Sequence, residues 1–126
     1  MAGEIKIETT EQEIEMLKKR IAELETTSTK ELPEIIKEVL REHTEKVPEQ
    51  VLAENQRLTP IEIKKQTERI IGLKEENETH QRQILELLQL AQEKGILNAI
   101  SVVKQLNNPH LEDDFHAALI KLFQNV

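Results

Sequence analysis

The stretch from Thr59 to Lys94 constrains this chain most. Thr59-Pro60-Ile61-Glu62 has the form of a helix start: threonine at the N-cap, proline at the first helical position with its φ already set, and a glutamate three residues on to close a capping box. Gly72 is the only glycine or proline between Pro60 and Gly95, and Gly95 ends the run as a C-cap glycine would. The pattern predicts one long helix. About 35 residues at 1.5 Å each make a rod of roughly 50 Å, longer than a chain of 126 residues can cover by itself.

Composition agrees with an extended helical protein. Apolar residues make up 37% and charged residues 33%, with no Cys, Trp or Tyr and two Phe. Aromatic side chains supply much of the burial in ordinary cores, so a large core within one copy is not expected. Leu, Ile, Glu, Lys and Gln are helix formers, and Gly and Pro are scarce. The expected fold is all-α, with extended coiled-coil-like helices followed by a small C-terminal helical bundle.

With Ile63, Ile70 and Ile84 set at heptad a positions, Asn77 also falls at a, while Leu73, His80 and Leu87 take d with Gln66. The first half of the rod is a narrow seam broken by polar residues. After Ile84 the apolar set widens to include Leu85, Leu88 and Leu90, a face that suits a bundle. An asparagine such as Asn77 can fix register across a dimer, or it can face water. A buried, neutral His80 would make an oligomer loosen as pH falls.

Four segments divide the chain: a flexible lead over 1–9, a short coiled-coil helix over 10–27, a linker with two short amphipathic helices over 28–58, and the long helix plus bundle over 59–126. In the lead, Ile5 and Ile7 alternate with charges but have no evident strand to pair with. In the first helix Ile14, Leu17, Ile21 and Leu24 are spaced three, four, three. Glu13 and Arg20 fall at g, with Lys18 and Glu25 at the following e, so parallel neighbours would pair Glu13 with Lys18 and Arg20 with Glu25. Arg20-Ile21-Ala22-Glu23-Leu24-Glu25 resembles the pattern of three-stranded parallel coiled coils. The competing reading folds this helix back on the chain's own later helices.

In the linker, Leu32-Pro33-Glu34 and Val47-Pro48-Glu49 each place proline and glutamate in a first turn. Ile35, Ile36, Val39 and Leu40 share one face of the first helix; Val51, Leu52 and Leu58 belong to the second. Beyond Gly95, the predicted bundle core comprises Leu88, Ile100, Val103, Leu106, Leu111, Phe115, Leu119 and Leu122. Asn108 is the N-cap of the last helix and Pro109 its first residue.

His110-Leu111-Glu112-Asp113-Asp114-Phe115-His116 is the one cluster of metal-ligand residue types. His110 and Asp114 share a helix face, as do Glu112 and His116. The acids suit the start of a helix without any metal, so neither a metal nor a cofactor is expected. Ser28 and Ser101 lack a nucleophile elbow, and the three glycines form no phosphate loop, so no catalytic residues are assigned.

Net charge is −7, and the first 58 residues hold 14 acidic and 9 basic groups. The only basic run, Lys18-Lys19-Arg20, is flanked by glutamates, which argues against nucleic acid as a partner. Ile96–Val103, the longest mostly apolar stretch, is too short to span a bilayer, and membrane-surface binding through the Leu111–Phe123 face is disfavoured because only Lys104 and Lys121 supply positive charge there. The absence of cysteine fits the cytoplasm.

The function expected is a non-enzymatic oligomerisation and protein-interaction module, a scaffold working through parallel seams in a dimer or trimer that also meets another protein. Its interface would be Ile14, Leu17, Ile21, Leu24, Ile63, Ile70, Leu73, Asn77, His80, Ile84 and Leu87. The alternative is a monomeric helical adaptor or chaperone-like binder that uses residues 31–58 or the C-terminal helices.

Overall fold

The structure, a computed structural model, describes residues 6–73 and 79–125. It is all-α, with seven helices among the described residues: α1 Thr10–Thr27, α2 Leu32–Thr44, α3 Pro48–Val51, α4 Pro60–Ile71, α5 Thr79–Lys94, α6 Ile96–Leu106 and α7 Pro109–Gln124. Local chemistry accounts for the starts of three. The Thr9 hydroxyl accepts the Gln12 N–H at the head of α1, and the Asn108 side chain accepts the Leu111 N–H at the head of α7. At α4 both halves of the capping box form: Glu62 N–H donates to the Thr59 hydroxyl at 3.2 Å, and Thr59 N–H to Glu62 Oε1 at 3.0 Å.

The architecture is organised around α6, which packs against α1, α2, α4, α5 and α7. Seven of its eleven residues are buried: Ile96, Leu97, Asn98, Ala99, Ile100, Val102 and Val103. A helix apolar nearly all round belongs in the middle of a bundle. It follows α5 after a single residue, Gly95, whose φ of 108° and ψ of 157° lie where only glycine sits without strain. Asn107, at φ 52°, closes α6 in the left-handed conformation that asparagine tolerates.

The rod expected over 59–94 is instead two helices that double back. Gly72 ends α4, its N–H bonding the Glu68 carbonyl. Gln83 Nε2 then donates to the Ile70 carbonyl at 3.2 Å, and Arg69 pairs with Glu86 at 2.7 Å. In a straight helix positions 70 and 83 would be about 20 Å apart. Folding back lets Ile70 and Leu87, both fully buried, share one core with α6. Burial of these two side chains stabilises the folded-back arrangement, and Gly72 weakens continuation of the α4 helix by about 1 kcal/mol.

The lead and the second linker helix differ from expectation, while the first linker helix forms as expected. The lead is anchored at Ile7, which forms a parallel bridge with Leu52: Ile7 N–H donates to the Val51 carbonyl at 2.8 Å, and Ala53 N–H to the Ile7 carbonyl at 2.7 Å. Ile7, Leu52 and Leu97 form a satellite cluster with Val51 against it. The linker contains a core element: α2 buries Ile35, Ile36, Val39 and Leu40 and packs against α1, α6 and α7. The second linker helix shrinks to one turn, α3, after which Leu52 is extended and buried, and Leu58 is partly buried against the main core.

Candidate functional site

The side chains expected to form an oligomer seam largely face inward in a single chain. Leu17, Ile21, Ile70 and Leu87 are buried, and Ile14, Leu24, Ile63 and Ile84 are partly buried against the same cluster. Leu73 is half-buried. His80 is not on a buried seam; its side chain is 39% exposed and faces Asp114 of α7. Asn77 lies outside the described residues. Of the predicted bundle core, Ile100, Val103, Leu111, Phe115 and Leu119 are buried, and Leu88, Leu106 and Leu122 are partly buried.

Three features remain with chemistry of their own. The first is an apolar cleft of about 190 Å³ where α1, α5, α6 and α7 meet, lined by Ile14, Ala91, Ile96, Leu119, Leu122 and Phe123, with exposed Lys18 and Gln92 also on its walls. A cavity of about 150 Å³ admits benzene, so one large side chain fits here. The described surface also carries exposed Met16, Val47, Ile61, Ile71 and Leu85.

The second feature holds the wall of that cleft in place. Glu13, expected at the surface and paired with Lys18 of another chain, is fully buried. Its Oε1 accepts the Ile96 N–H at 2.6 Å; its Oε2 accepts the Leu97 N–H at 3.1 Å and pairs with His43 Nε2 at 2.8 Å. The head of α6 has no capping side chain of its own, so a carboxylate from α1 satisfies two of its free N–H groups, in the position where a helix dipole favours negative charge. His43 Nδ1 is buried with no partner among the described residues. Next to this node the Asn98 side chain donates to the Gln56 and Lys94 carbonyls and accepts the Leu58 N–H, fixing the loop before α4. Sequence reasoning gave Glu13 a surface position at the edge of a seam and assigned His43 no role. The available signal was a helix opening on Gly95-Ile96-Leu97 with nothing nearby to cap it.

The third feature joins the heads of α5 and α7. His80 Nε2 contacts Asp114 Oδ2, His110 Nε2 lies 3.6 Å from the same oxygen, and the two imidazole rings stack with centroids 4.9 Å apart at 22°. The i,i+4 pair of His110 and Asp114 was visible in the sequence; its third member comes from another helix. Half-buried His116 is not part of this group. Burial holds its imidazole below the ordinary value, against the opposing pull of Glu112 and Asp113. No described helix is long and apolar enough to cross a membrane. In comparisons with known proteins, no family model matches the chain, and no curated protein or solved structure is significantly similar to it.

Proposed function

We propose that the chain is a non-enzymatic helical adaptor that works as one folded copy and takes an apolar side chain of a partner protein into the cleft beside α7. The observation that carries this reading is a cleft walled mainly by Ile14, Ala91, Ile96, Leu119, Leu122 and Phe123 that still opens to solvent. Apolar concavities with a few polar groups at the edge are where proteins grip partners. Burial of Leu17, Ile21, Ile70 and Leu87 inside one chain supports a single copy as the working unit. The setting proposed with it is the cytoplasm, with neither nucleic acid nor membrane as the partner.

Assembly of identical copies into a scaffold is the second reading, favoured by Ile61, Ile71 and Leu85, which are 69%, 56% and 65% exposed. In that case copies meet through these outward residues rather than through the buried seam. Light scattering across a concentration series, combined with binding of an environment-sensitive apolar dye, separates the two. A constant monomer mass with dye binding abolished by Leu122→Glu supports the adaptor. A dimer or trimer mass supports the scaffold. Dye binding that is absent, or unchanged by Leu122→Glu, overturns the cleft as a binding surface.

A further inference from the structure

We propose that His80, His110 and Asp114 form a binding site for a first-row divalent metal ion, zinc being the ion their donors suit best, which ties the head of α5 to the head of α7. His80 is the second residue of α5, His110 the second of α7, and Asp114 lies one turn further along α7. Each offers one ligand atom, and these atoms all lie within 4.8 Å of one another. An ion with bonds of about 2.0–2.1 Å to nitrogen and oxygen in tetrahedral geometry places its ligand atoms roughly 3.3 Å apart. His110 is exposed and His80 and Asp114 are half-buried, so the ligand atoms would have to move by little more than an ångström at side chains that are not packed in the core.

Hydrogen bonding alone uses this arrangement incompletely. Asp114 Oδ2 contacts His80, while His110 at 3.6 Å is beyond hydrogen-bond range of the same oxygen. The two stacked rings thus present their Nε2 atoms to one carboxylate oxygen that only one of them reaches. An ion at the centre of the three would engage all of them. Two imidazole nitrogens and a carboxylate oxygen form a borderline donor set that suits zinc; calcium and magnesium require oxygen donors. The His110 side chain is 78% exposed, so an ion has a path in from solvent, and three protein ligands leave a tetrahedral ion one position for water or an outside ligand. This site is separate from the apolar cleft and does not depend on the function proposed for it.

Isothermal titration of the chelator-treated full chain with zinc chloride, paired with thermal unfolding, provides the test. One zinc ion per chain and a raised Tm are expected. His110→Ala, which removes an exposed side chain, and Asp114→Asn should each weaken binding by at least about tenfold, the loss that even an outer-sphere partner can give. His116→Ala on the same helix should bind as the parent does, and magnesium should leave both readouts unchanged. No binding heat together with an unshifted Tm overturns the proposal. So does zinc affinity that survives His110→Ala, which would put the ion elsewhere, or magnesium bound as tightly as zinc.

Discussion

Glu13 Oε1 accepts the backbone N–H of Ile96 at 2.6 Å across 83 residues of chain. The same carboxylate meets Leu97 and His43, so one buried side chain joins α1, α2 and α6. Glu13→Ala would leave two helix N–H groups and an imidazole facing a void. Each buried polar group left without its hydrogen-bond partner costs about 1–3 kcal/mol, so urea denaturation should show a loss of about 3 kcal/mol or more. Glu13→Gln retains one acceptor oxygen and should lose less.

Gly95 is coupled to the same carboxylate. A Cβ at this position would lie 2.7 Å from Glu13 Oε1 and 3.3 Å from Gln56 Nε2, on a backbone with φ 108°. Gly95→Ala should therefore destabilise by at least about 2 kcal/mol through backbone strain and overlap together. Because part of the overlap is with Glu13, the same change should cost less in a Glu13→Ala background. A double-mutant cycle by chemical denaturation measures the difference; strict additivity would mean that the overlap with Glu13 contributes nothing.

The capping box of α4 should respond to acid. Glu62 is held below its ordinary value of 4.5, first by the hydrogen bond from the Thr59 backbone and then by the Thr59 side chain. A carboxyl whose pKa is lowered in the folded state contributes stability above its unfolded pKa and loses it as pH falls through the folded value. Unfolding free energies at pH 7 and near pH 3 should therefore fall further for the parent than for Glu62→Gln. The amide can keep the Thr59 bond but carries no charge to lose.

Ile7 provides a test of the N-terminal anchor. Ile7→Ala removes most of one side chain from a cluster of three buried residues and should cost about 2 kcal/mol, at the low end for such deletions. The Ala53 amide, which donates to the Ile7 carbonyl, should exchange with deuterium faster in the variant. Unchanged exchange would show that the bridge holds without the side chain.

What could be read in advance divides along a physical line. Helical content is a local property, and helix-former composition with the starts at Thr59 and Asn108 was enough to assign it. The partner of an apolar stripe is not local. Ile14, Leu17, Ile21 and Leu24 at spacing three, four, three serve equally for a neighbouring chain or for α2 of the same chain. Gly72 alone did not reveal that α4 and α5 turn back, because an isolated glycine costs a helix only about 1 kcal/mol. Glu13 looks like any surface glutamate until α6 arrives from 83 residues away. The His110–Asp114 pair was legible through its i,i+4 spacing, while His80, 34 residues before Asp114, was not.

The central position of α6 has a consequence for biosynthesis. The helix that receives α1, α2, α4 and α5 follows all four of them in the chain. On a translating ribosome those four helices therefore emerge before the beam they lean on, and only α1 and α2 have much of each other to hold. The core on which α1, α2, α4 and α5 converge can be completed only after Gly95 and α6 leave the exit tunnel.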